Sequence, residues 1–174
     1  MNAPPTPQTP HRIVVMGVSA VGKSTIGRGL ADAMQLPFID ADDLHTPAAV
    51  EKMRSGVPLT DEDRLPWLHA CGRALTAADG GAVIACSALT RRYRDQLRDE
   101  ASDAIFVHLH ADPVHIQERA AQRTGHFMPP SLLASQLATL EPLESDERGV
   151  TVDAVRPVAA VVDDVVSALA GQAE

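Results

Sequence analysis

Residues 12–24 read "RIVVMGVSAVGKS", and the fold follows from how this stretch divides. Arg12 to Met16 is a short β-branched run that stops at Gly17, the pattern of a buried strand. Gly17-Val18-Ser19-Ala20-Val21-Gly22-Lys23-Ser24 satisfies G-x-x-x-x-G-K-[ST] in full. From Lys23 to Met34 the apolar residues Ile26, Leu30, Ala33 and Met34 fall on one face of a helix. Strand, glycine loop and helix therefore occur in the order that a phosphate-binding loop requires. Backbone N–H groups and the helix N-terminus attract a polyphosphate. Lys23 reaches the β- and γ-phosphates, and the Ser24 hydroxyl ligates Mg²⁺. The nucleotide-binding set is Gly17, Val18, Ser19, Ala20, Val21, Gly22, Lys23, Ser24 and the adjoining Thr25. Ala20 stands where many such loops carry glycine, which requires only that this residue avoid positive φ.

The alternation continues outward. Pro37 to Ile39 reads as a very short strand, and Pro47 to Arg54 as a helix terminated by Gly56 and Pro58. A second helix runs from Glu62 to Ala78 and stops at Gly80-Gly81. Ala82–Cys86 and Ala104–His110 are the next strands, with a helix over Thr90–Glu100 between them. Asp112-Pro113 is an N-cap followed by proline at the first helical position, starting a helix that reaches about Arg123. Gly149–Ala154 is the last strand. The closing segment is Val-rich, but Val158, Val161, Val162, Val165, Val166 and Leu169 keep helical spacing. Five short apolar strands alternating with helices predict a parallel α/β sheet covered on both faces.

With 174 residues the chain suits one well-buried core. We expect a disordered lead-in over residues 1–10, where four prolines stand with no apolar signal segment, and a single domain over 11–174. One Trp, one Tyr and three Phe leave the core to aliphatic residues. A net charge of -8 disfavours a nucleic-acid binder that works by broad phosphate neutralisation. No apolar run is long enough for a membrane helix. Cys71 and Cys86 have neither metal-site spacing nor a disulfide framework, so a cytoplasmic location is expected.

A phosphate loop alone admits a kinase, a switch or a motor. The chain has no N-K-x-D guanine-reading motif, and the strand "AVIAC" ends in Cys86-Ser87-Ala88 without the acid a motor needs. A small kinase remains. The blocks "GVSAVGKST", "FIDADDLH", "KMRSGVPLTDEDRLPWL", "ACSALTRRYRDQLR", "FVHLHAD" and "RTGHFMPPSLLASQLATLEPL" resemble, in order and spacing, those of the gluconokinases. The resemblance covers roughly residues 12 to 165. It implies a P-loop fold like that of the nucleoside-monophosphate kinases, with a five-stranded parallel sheet and a lid over about 123–138. It also implies ATP and Mg²⁺, transfer to the C6 hydroxyl of gluconate, and a homodimer.

Gluconate carries one carboxylate, a row of hydroxyls and the accepting alcohol. Asp42, at the mouth left by the second strand, is suited to accept a hydrogen bond from the C6 hydroxyl and take its proton late in a loose transition state. Asp40, two residues back, suits a Mg²⁺-bound water, whereas Asp43 is expected to face solvent. The similar shikimate kinases divide the same tasks over a D-x-D pair. Arg64 offers a fork for the gluconate carboxylate, or alternatively a surface ion pair with Asp61. Arg119 and Arg123, four apart on one helix, repel unless an anion lies between them, which points to the nucleotide phosphates. His126 from the lid is expected to touch gluconate. His45 is open to substrate hydroxyls or to a structural role. Ser87 and one of Arg91 and Arg92 are candidates for the site mouth; Arg91 is the one retained. Trp67 reads as packing, and His108 and His110 alternate on a strand with no third ligand in view, so a metal pair is not expected there. The rival readings are a kinase for shikimate, a nucleoside monophosphate or another aldonate, and a regulator that binds ATP without transferring it.

Overall fold

The computed structural model describes residues 11–123 and 130–171. The strands are β1 (His11–Met16), β2 (Phe38–Asp40), β3 (Gly81–Ala85), β4 (Ile105–His110) and β5 (Gly149–Asp153). The helices are α1 (Lys23–Met34), α2 (Pro47–Arg54), α3 (Asp61–Ala77), α4 (Arg91–Glu100), α5 (Pro113–Gln122), α6 (Pro130–Thr139) and α7 (Val158–Ala170). All four strand pairings are parallel and the order is β2-β3-β1-β4-β5. Strand β1 is central, with Val15 paired to Ala85 on one side and Val107 on the other.

The pleat of β1 sends Ile13 and Val15 to one face and Val14 and Met16 to the other. The first face packs on Ile26 and Leu30 of α1 and Val161, Val165 and Leu169 of α7, and the second on Trp67, Leu68, Cys71 and Leu75 of α3 and Leu97 of α4. Burial on both faces explains why the strands are continuous apolar runs and not alternating ones. Because every strand is parallel, the loops leaving their C-terminal ends gather at one edge. That edge carries the phosphate loop, Asp40–His45 and Cys86–Thr90.

Local signals explain most boundaries. Thr46, Thr60, Thr90 and Asp112 each cap the helix that follows, and Thr60 forms a reciprocal capping box with Asp63. Two elements carry no strong sequence signal. The first is a 3₁₀ turn over Ala41–Leu44, which forms because the Asp40 carboxylate accepts the Asp42 N–H at 3.0 Å. The second is α6, which occupies the rear of the segment expected as a lid, with Leu133 buried against the core. Cys71 and Cys86, 15 residues apart in sequence, are both buried and free, and a hydrogen bond between their side chains and burial push the Cys71 thiol well up.

Candidate active site

The phosphate loop is held open for an anion by its own backbone. Gly17 and Gly22 have φ of 145° and 110°, and a Cβ on Gly17 would come within 2.9 Å of the Leu109 carbonyl oxygen. Ala20 has φ +64°, so the expectation that it avoids positive φ is corrected: this residue takes the left-handed turn that other loops give to glycine. A left-handed residue between right-handed neighbours turns successive N–H groups inward, making an anion-binding concavity. Helix α1 is capped by glycine and has no side-chain cap, unlike α2, α3, α4 and α5. Its first-turn N–H groups are therefore left for a ligand.

Lys23 follows directly. Its Nζ donates to the Val18 carbonyl at 2.9 Å, so the ammonium rests on the loop. Burial pushes its pKa down to about 8, against the attraction of Asp42 and, more weakly, Asp40. Arg123 also acts on Lys23, lowering its pKa. Arg119 donates to the carbonyls of Val21 and Ala154, both at 2.9 Å, and so ties α5 to the phosphate loop and to the end of β5. Both arginines line a cleft of about 260 Å³ with Ala20, Val21, Gly22 and Thr25.

On the other side of Lys23 lies a second group of polar residues. Asp42 and Asp43 are both exposed, but only the charge of Asp42 acts on Lys23 and on His45. The His45 ring stacks on Trp67 at 4.4 Å between centroids and 10° between planes. Trp67, itself buried, donates Nε1 to the Ala41 carbonyl at 2.6 Å. The only tryptophan thus holds the turn that carries Asp42. Burial lowers the His45 pKa and keeps the ring neutral, with Asp42 raising it and Arg64 lowering it. Arg64 spends one nitrogen, Nη1, on the Leu59 carbonyl at 2.7 Å and the Tyr93 hydroxyl at 3.3 Å. Its ion pair with Asp61 is loose at 4.0 Å, since Asp61 is taken by Tyr93 at 2.6 Å and Arg92 at 2.9 Å. The guanidinium also lies over the Tyr93 ring at 5.5 Å from its centroid, a contact with its face that leaves Nε and Nη2 for an in-plane partner.

The remaining candidates are less central. Ser87, half-buried, accepts the Gly17 N–H on its carbonyl at 3.3 Å. Arg91 is bound by Asp146 at 2.8 and 3.0 Å, Glu144 at 3.2 Å and Asp95 at 3.2 Å, so its guanidinium is engaged with the segment before β5. His126 lies outside the described residues. His108 and His110 lie 6.4 Å apart edge-on, and among the described residues no group of three potential metal ligands forms.

Two residues of this edge went unread in the sequence. Arg94 is fully buried and all five of its N–H groups are used, on Glu147, Ala88, Glu141 and Pro142. The spacing of α4 hinted at it, because Arg94 and Leu97 share the buried face. Gln136 of α6 accepts the Ser19 N–H at 2.7 Å, across 117 residues, and no local pattern marks that contact.

A five-stranded parallel sheet with an uncapped glycine-loop helix flanked by a D-x-D turn is a kinase arrangement, and comparison with known proteins fixes the family. Residues 19–169 match the model of the shikimate kinase family. The gluconokinase of Gluconobacter oxydans (strain 621H) is 46% identical over 160 residues, covering 90% of each chain. The chain belongs to the gluconokinase family. A crystal structure of a gluconokinase from Sinorhizobium meliloti 1021 superposes with a TM-score of 0.85 at 48% identity, over 94% of this chain and 93% of that one. The fold extends further, to the shikimate kinase of Aquifex aeolicus vf5, with a TM-score of 0.60 at 18% identity over 93% of this chain and 98% of that one. Around Lys23 the polar residues fall on two sides, the cleft lined by Arg119 and Arg123 on one and Asp42, His45 and Arg64 on the other.

Proposed function

We propose that this chain transfers the γ-phosphoryl group of ATP to the C6 hydroxyl of D-gluconate, giving 6-phospho-D-gluconate and ADP. The observation that carries this reading is the row Lys23, Asp42, His45, Arg64 at the C-terminal edge of the sheet, in which the charge of Asp42 acts on Lys23 and the charges of Asp42 and Arg64 both act on the neutral His45 between them. A cation for the phosphates, a carboxylate for the alcohol and a cation for the acid end follow one another, which is the charge order of an aldonate acceptor beside a triphosphate.

Each residue then has a task. The N–H groups of residues 20–25 and the α1 terminus bind the phosphate chain, and Lys23, one of whose three donors holds the Val18 carbonyl, reaches the β- and γ-oxygens. Arg119 holds the cleft together and Arg123 stands over the phosphates. Asp42 accepts the C6 hydroxyl, orients its oxygen toward the phosphorus and receives the proton as the new bond forms. The free edge of Arg64 takes the gluconate carboxylate in a bidentate pair, and His45, with His126, meets the sugar hydroxyls. The donor set fits Mg²⁺: Ser24 and a water-mediated Asp40 suffice for an ion held largely by phosphate oxygens and water, and among the described residues no cluster of three protein ligands competes with that arrangement. When bound, that ion neutralises charge on the triphosphate. We place the enzyme in the cytoplasm as a homodimer, a reading supported by its two buried free thiols and by its resemblance to the family.

A coupled ADP-release assay over gluconate, other aldonates, shikimate and nucleoside monophosphates tests the assignment. Gluconate is expected to give kcat/KM at least about a hundredfold above every other acceptor, the discrimination expected when a buried polar partner is left unpaired. Faster turnover of any other acceptor, or ATP binding with no acceptor-dependent ADP release, refutes it.

A further inference from the structure

Gln136 has no part in the reaction as described so far, yet it touches the loop at a telling place. The Val18–Ser19 peptide unit has both of its polar groups occupied. Its carbonyl accepts from Lys23 Nζ at 2.9 Å and its N–H donates to Gln136 Oε1 at 2.7 Å. The carbonyl and N–H of a trans peptide point in opposite directions, so Lys23 and Gln136 clamp one peptide plane from its two sides.

Lys23 has three N–H donors, one on the Val18 carbonyl and the others available to the β- and γ-phosphates, so it is shared between loop and nucleotide. Gln136 Oε1 holds the other side of the peptide through the Ser19 N–H. The neighbouring Ala20 is in the left-handed region at φ +64°, a conformation that persists only when its surroundings impose it. Gln136 is well placed to impose it. Helix α6 buries Leu133 and packs Leu137 and Leu140 on the core, and the Glu141 N–H is bound to the Leu89 carbonyl at 2.8 Å. Gln136 is the half-buried polar member of that otherwise apolar stripe.

We propose that Gln136 is a positioning residue for phosphoryl transfer, holding the Val18–Ser19 peptide, and through its carbonyl the Lys23 ammonium, in place for the γ-phosphate. This rests on the kinase reading above. The side-chain oxygen is the working atom, since only an acceptor can satisfy the Ser19 N–H.

Gln136→Met keeps length and packing but removes the strong acceptor. Its expected effects are a fall in kcat of about tenfold or more and an ATP-analogue (AMPPNP) affinity reduced several-fold. ADP affinity, which involves no γ-phosphate, should stay within about twofold of wild type. A general loosening of the loop would weaken ADP and AMPPNP alike, and that result, or an unchanged kcat, overturns the proposal. A second measurement needs no variant. In the wild-type protein saturated with AMPPNP, the Ser19 amide proton should exchange slowly, and fast exchange overturns the assignment even if Gln136→Met fails to fold. Both binding readouts are independent of the acceptor, so a wrong acceptor would leave them intact.

Discussion

In the proposed reaction Asp42 and Arg64 divide the acceptor between them, and those roles separate in kinetics. Asp42 is an exposed carboxylate whose charge is felt by both Lys23 and His45, which is why the proposal puts it between the phosphates and the sugar. Asp42→Asn keeps the shape but removes the proton acceptor, and kcat is expected to fall by about 10²–10⁴ with the gluconate KM changed only slightly. Arg64→Ala removes a charge-assisted pair worth ~1.5–3 kcal/mol, which raises the gluconate KM by about 10–150-fold and leaves the ATP KM within about twofold. Steady-state kinetics with each substrate varied in turn distinguishes the two patterns; equal effects of Arg64→Ala on both KM values would exclude the carboxylate contact. At this scale much of the site could be read directly. Lys23 and Ser24 sit in a pattern whose spacing is dictated by phosphate geometry. Ala20 misled because propensity alone assigns the left-handed turn to glycine, whereas the loop imposes φ +64° on alanine at a cost of ~1–2 kcal/mol.

At the scale of elements, the turn between β2 and α2 is positioned by α3. Trp67 donates to the Ala41 carbonyl and stacks on His45, so one side chain fixes both ends of the Asp42 turn. Trp67→Phe retains an aromatic face but leaves the buried Ala41 carbonyl without its donor, a cost of ~1–3 kcal/mol. The expected result is a loss of about tenfold in kcat/KM for gluconate, equal to ~1.4 kcal/mol, with ATP binding within about twofold. Thermal melting and isothermal titration with ATP check the two halves, and an unchanged gluconate kcat/KM would show that the turn holds itself. Elements were legible wherever periodicity or a cap was strong, as in α1, α2 and the Val-rich α7. The 3₁₀ turn and α6 were not: the first comes from a local Asp40 side-chain bond that no periodicity marks and is then held by Trp67, and the second depends on the distant loop residue Ser19 and the core around Leu133.

At the scale of the whole molecule, one buried ion pair joins α4 to the approach of β5. Arg94 and Glu147 are both fully buried in their side chains and bonded at 2.7 and 2.8 Å, and Glu147 also accepts from Arg98 and from the Glu144 N–H. Burial alone would raise the Glu147 pKa, but the bonds from Arg94 and Glu144 and the charge of Arg94 hold it at about 2. A carboxylate depressed on folding contributes stability that is present above its unfolded pKa of 4.5 and is lost as pH falls toward 2. His108 acts in the same direction but earlier. Burial, with the charges of His110 and Arg94, lowers its pKa to about 4, and no hydrogen-bond partner for either ring nitrogen occurs among the described residues. The unfolded chain therefore takes up a proton below pH 6.5 that the folded one refuses until about 4, and stability declines through that window. The melting temperature should thus fall in two stages on acidification, first from pH 6.5 and more steeply below 4.5. Glu147→Gln leaves the Arg94 charge buried without its partner, so at pH 7 it should cost ~3–5 kcal/mol. It should also make the second stage shallower, because the buried carboxylate that titrates there is gone while Asp63, Asp95 and Asp146, also held low, remain. Calorimetry from pH 7 to pH 3 on both proteins reads this directly. A variant whose acid slope below pH 4.5 matched that of the wild type would locate the loss in other carboxylates and dissociate the ion pair from the acid sensitivity of the fold.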